Sequence, residues 1–209
     1  MVSRISPGKN QGTDTPPAGD AAVFAAALAA IRGVGLRPEL AIEEVPAPTR
    51  LAPHAVAIAG EVIPHHHDED DDAIATGRFV VLFDPEAPEP WEGQWRLVTY
   101  AKANMEPEVG ADPLAGEVGW SWLTEALEER GLSWAAEAGT VTAVSSQSFG
   151  ALAERESTVE LEIRASWSPV MSKSTELADH LQAWADLMCT LAGLPPLPEG
   201  VVALPGIRR

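Results

Sequence analysis

Cysteine occurs once in the 209 residues, at Cys189, so the chain can form no intrachain disulfide and no cysteine-based zinc site. That usage fits a reducing cytoplasm. Basic residues are scarce too, 14 Lys and Arg against 31 Asp and Glu for a formal charge of −17. A generic nucleic-acid clamp is disfavoured, because docking on phosphates needs a cationic surface, and Arg208, Arg209 and scattered arginines supply little. Long apolar runs are missing. Ala21 to Ile31 is too short to span a bilayer, so no membrane partner is expected. It follows Pro16, Pro17 and Asp20 with only Arg4 and Lys9 upstream, and it reads as a first helix capped by Asp20, with Phe24, Leu28 and Ile31 on one face. Dinucleotide glycine fingerprints, P-loops, zinc-protease motifs and kinase signatures are all absent. No cofactor is expected.

What is there suffices for a core. The chain is 45% hydrophobic and 22% charged, room for one substantial domain. Because 34 residues are alanine, burial rests on Val, Ile, Leu and seven tryptophans. Residues 1–19 read as a disordered leader, 20–193 as one domain and 194–209 as an extended Pro-rich tail. Short strands are predicted at Leu40 to Val45, Ala55 to Ile63, Arg78 to Phe83 and Gln94 to Ala101, with a low-complexity His and acidic loop over 64–76. A helix is predicted over Trp120 to Arg130, with Ser121 as N-cap and Gly131 as the stop. The clearest strand runs Val159, Leu161, Ile163, Ala165, Trp167 against Glu160, Glu162, Arg164, Ser166, one buried and one wet face. Its partner is Thr140 to Phe149. A last helix opens at Ser174 and carries Leu177, Leu181, Trp184, Met188 and Leu191 at helical spacing. The strand connections are too short for crossover helices, so the fold class is α+β: an antiparallel sheet of about five or six strands with three helices packed on it.

Three stretches resemble an actinobacterial family known as domain of unknown function 3000. They are Trp95-Arg96-Leu97-Val98-Thr99-Tyr100 with Glu106-Pro107-Glu108, then Gly119-Trp120-Ser121-Trp122-Leu123, then Leu181-Gln182-Ala183-Trp184 running into Gly193-Leu194-Pro195-Pro196-Leu197-Pro198. The resemblance spans roughly residues 20 to 207 and implies a lineage, with no activity to carry onto any residue. Through the gene neighbours associated with that family, a ribonuclease D-like exonuclease and uroporphyrinogen decarboxylase, the resemblance implies a link to RNA or haem metabolism by association only.

The residues themselves offer several chemistries. His65, His66 and His67 followed by five acids are metal-type ligands, but adjacent residues on a loop are poorly organised and read as a solvated linker. Glu106, Glu108 and Asp112 have neither EF-hand spacing nor a second acidic motif. Ser145, Ser146 and Ser148 end a strand without the G-x-S-x-G elbow. His180 reads as a surface helix residue paired with Glu176. From Glu61 to Glu129 there are 17 acids and three bases, a middle segment able to steer a basic partner. The leading expectation is therefore a non-catalytic binding or adaptor protein. Its surface would be acidic and tryptophan-containing, formed by Trp120, Trp122, Trp184, Glu106, Glu108 and Asp112, and its partner a basic protein, RNA-processing factors included. The alternative is a small-molecule enzyme, hydrolase-like or metal-dependent, near the Ser145–Ser148 strand end or the Glu106–Asp112 loop.

Overall fold

A computed structural model of the chain describes residues 19–63, 72–106 and 112–195. The expected leader apart from Gly19, most of the His and acidic loop, Glu108 and nearly all of the tail lie outside them. Helix α1 (Gly19–Gly33) is followed by strands β1 (Leu40–Val45), β2 (His54–Val62), β3 (Ala75–Phe83) and β4 (Trp95–Met105), helix α2 (Ala115–Glu129), strands β5 (Trp134–Ser146) and β6 (Thr158–Pro169), and helix α3 (Leu177–Leu191). All six strands join one sheet in the order β1-β2-β3-β4-β6-β5, and every pairing is antiparallel. The fold class is thus α+β, as the strand spacing predicts.

Strand alternation decides which face is covered. Val56, Ile58 and Val62 of β2, Phe79, Val81 and Phe83 of β3, Leu97 and Ala101 of β4, and Leu161, Ile163 and Trp167 of β6 all enter one buried cluster with residues of the three helices. Helix α3 lies deepest: ten of its fifteen residues are buried, so its apolar positions extend beyond one stripe. Trp184 is fully buried. It packs on Phe79 with ring centroids 5.6 Å apart, and it lies so close to β2 that a Cβ on Gly60 would come within 2.6 Å of its ring. Phe24 of α1 stacks on His54 and Trp95 at 5.3 and 6.0 Å, closing the other end of the core.

Several boundaries differ from the sequence reading. Helix α1 starts at Gly19, which puts Asp20 in its first turn. Helix α2 starts five residues before Trp120 with no side-chain cap; Ser121 lies inside it and donates its hydroxyl to the Val118 carbonyl at 3.0 Å. Asp112 instead accepts the Leu114 N–H at 2.9 Å. Strand β5 starts six residues before Thr140, with a bulge between Ala135 and Ala138 where Ala136 adopts φ 51°. Among the described residues none of the three helices lies on the opposite face of the sheet. That face bears a small cluster around Ala57, Val80 and Leu82 and a polar ladder. In that ladder Tyr100 donates to Glu162 at 2.9 Å, Lys102 pairs with Glu160 at 2.8 Å and Arg164 pairs with Glu162 at 2.7 Å.

Candidate functional site

Trp120 and Trp122 stand two positions apart on α2 and therefore diverge around it. Trp120 turns to the sheet edge, where its ring occupies the space a Cβ on Gly139 would need. Trp122 turns toward α3 and lines a cleft of about 530 Å³ bounded by Arg37, Glu125, Glu129, Arg130, Asp186 and Cys189. The three tryptophans expected to form one surface thus occupy three environments. Trp184 is withdrawn from any such surface by its burial under the sheet, because its large indole satisfies the inner face of α3. Glu106 is exposed just past the end of β4, and Asp112 is exposed before α2; neither lines the cleft.

Charge in the cleft is asymmetric. Its cations are already engaged: Arg130 pairs with Asp186 at 2.6 Å and donates to Gln182 at 3.0 Å. Arg37 pairs with the buried Glu39 at 2.9 Å and donates to the Pro195 carbonyl at 2.8 Å, and the Glu39 carboxylate holds the Arg37 proton more firmly than water would. Glu125 and Glu129, one helical turn apart and exposed, make no ion pair among the described residues. Like charges at this spacing repel mildly, so a cation delivered between them would be welcome. The Trp122 ring beside them offers a face on which a guanidinium or ammonium can rest. Burial pushes the Cys189 thiol up to about 11, so at neutral pH it is protonated and a poor nucleophile.

The residues available for hydrolysis are not brought together. His180 is buried, and its Nδ1 accepts the Trp167 indole N–H at 3.3 Å. It is not the surface residue expected, and Glu176 instead accepts the Ser172 N–H at 3.1 Å. Desolvation lowers the His180 pKa to about 4. Ser146 pairs with Thr158 at the far end of β6, nine residues and therefore roughly 30 Å along the strand from Trp167. Ser145 and Glu106 do share one end of the sheet, since Met105, Val159 and Ser145 are aligned across β4, β6 and β5, but no imidazole among the described residues joins them there. Among those residues, no group of three or more His, Cys, Asp or Glu side chains is placed to hold a metal ion. No described helix is long and apolar enough to cross a membrane.

The sequence reading missed Glu125, Glu129, Arg130 and Asp186. The signal was present: Trp122, Glu125 and Glu129 follow the i, i+3, i+7 spacing of one helix face.

An all-antiparallel α+β sheet with one helical layer and a charged interhelical cleft defines the class of this molecule. The family model described as "Protein of unknown function (DUF3000)" matches residues 20–202, and the chain belongs to that family. No curated protein and no solved structure matches it.

Proposed function

We propose that this is a non-catalytic binding protein that takes a basic segment of a partner protein into the cleft between α2 and α3. The observation that carries this reading is the pairing of a half-buried indole, Trp122, with two carboxylates that have no ion-pair partner among the described residues, in a cleft whose own arginines are occupied. Long-range attraction by the −17 chain speeds the encounter, and Trp122 anchors one side chain of the segment. Arg130, clamped between Asp186 and Gln182, keeps the cleft wall rigid without neutralising Glu125 or Glu129. A protonated Cys189 and a buried, neutral His180 support a binding role over a covalent one. The lone cysteine, buried and unpaired, supports a reducing compartment such as the cytoplasm.

Fluorescence anisotropy with a labelled Lys- and Arg-rich peptide carrying leucines tests this, alongside an Asp- and Glu-rich counterpart. The basic peptide should bind, the acidic one should not, and raising the salt should weaken binding. Trp122→Ala should weaken it by about tenfold, and Glu125→Gln with Glu129→Gln by a similar factor. Unchanged affinity in both variants, or no binding of the basic peptide, would sink the reading. Because the glutamates repel each other, their replacement should leave thermal stability equal or slightly higher.

A further inference from the structure

The two edges of the sheet are built differently. Strand β1 is six residues long and carries Glu43 and Glu44, the latter held by Arg32 at 2.8 Å. A short edge with charged side chains resists strand addition. Strand β5 is thirteen residues long and mostly exposed, and no charged residue occurs from Ala138 to Ala153. Its run Thr140-Val141-Thr142-Ala143-Val144 favours extended structure. Among the described residues β5 pairs only with β6, so the outward N–H and C=O groups of Ala138 to Ser146 find no backbone partner there. On the face of the sheet away from the helices, Val144 of this strand is 48% exposed.

We propose that β5 pairs antiparallel with β5 of a second copy of this chain about a twofold axis, joining two six-stranded sheets into one. Charge selects this occupant. Two molecules of charge −17 repel over most of their surfaces, and the neutral edge is where they can approach. A basic partner would find no carboxylate between Ala138 and Ser146, and an acidic one no base. Twofold pairing sets the strand against its own sequence, placing Thr and Val opposite Thr, Val or Ala, which are favourable cross-strand neighbours. No residue of β5 lines the α2–α3 cleft, so this inference stands independently of the proposed function.

Sedimentation analysis of the full chain, with backbone hydrogen exchange at low and high protein concentration, tests it. The expected result is a species of twice the 22.1 kDa chain mass in which the Ala138 to Ser146 amides gain protection with concentration. Thr142→Lys, at an exposed position, should weaken self-association by about tenfold, because like charges then face each other across the paired strands. A monomer overturns the proposal, whether its β5 amides exchange freely or are shielded by another stretch of the same chain. So does a dimer whose β5 amides gain no protection, or a folded Thr142→Lys variant that dimerises as well as the parent. Should that variant fail to fold, the exchange pattern of the unmodified chain decides alone.

Discussion

A single imidazole sets part of the acid sensitivity of this molecule. His180 lies under the sheet with Nδ1 accepting from Trp167, which leaves its one proton on Nε2. Its pKa is held near 4 by burial, against 6.5 in water. The folded value is below the unfolded one, so the unfolded chain takes up the proton first as the pH falls. The stability owed to the neutral imidazole is complete above about pH 6.5 and is lost as the pH drops toward 4, up to about 3 kcal/mol. His180→Asn retains an acceptor for Trp167 but no titration, so its unfolding free energy should change less between about pH 7 and pH 5 than that of the parent. Denaturant melts at both pH values measure this, and equal changes in the two proteins would refute it. Close packing supplies a second case. Gly60→Ala drives a methyl group toward the buried Trp184 ring, which has no room to retreat, and should lower stability by about 1–3 kcal/mol.

At the scale of elements, Arg96 holds the irregular start of β5 in place. Its guanidinium donates to the Ala136 carbonyl at 2.7 Å, to Ser166 at 2.7 Å and to Ser168 at 3.2 Å, tying β4 and β6 to the bulge, and burial lowers its pKa. Arg96→Ala removes these charge-assisted bonds and should cost about 2 kcal/mol. The loss should be visible as faster amide exchange in β5 before β2 or β3; uniform loosening would show that the arginine acts elsewhere. This contrast also explains what could be read from the sequence. From Val159 to Trp167 strand β6 alternates buried and more exposed residues, and a period of two needs no tertiary information. The Trp134-Ala135-Ala136-Glu137-Ala138-Gly139 start of β5 has neither alternation nor β-branched residues; its conformation is imposed by Arg96 and the neighbouring strand. The start of α2 is hidden from sequence patterning because Gly116 and Gly119 weaken its first turns, although Gly119 is there to let the helix settle on Val141 and Leu161. The burial of His180 is not legible in a one-stripe pattern because α3 is buried on most of its circumference, so a polar residue between Leu177 and Leu181 points inward. The indole and acidic surroundings of the Trp122 cleft are legible in the sequence, but its opposing wall from α3 comes from packing.

Over the whole molecule, the charge of −17 acts differently on folding, self-association and partner binding, and salt separates the three. Seventeen acids against three bases between Glu61 and Glu129 crowd like charges that the unfolded chain can spread apart. Screening them should therefore stabilise the fold. Raising NaCl from about 0.05 to 0.5 M shortens the screening length from roughly 14 to 4 Å, and the melting temperature should rise by a few degrees. Pairing of two β5 edges brings two negative molecules together through a neutral seam, so the same salt should favour the dimer. Binding of a basic peptide in the Trp122 cleft rests on attraction and should weaken. Thermal melts, sedimentation and anisotropy across one salt series would give three slopes, two of one sign and one of the other. A melting temperature that falls with salt would show that attractive ion pairs such as Arg130–Asp186 outweigh the crowded acids. A dimer that dissociates as salt rises would place charged groups, not the neutral β5 edge, at the contact between copies.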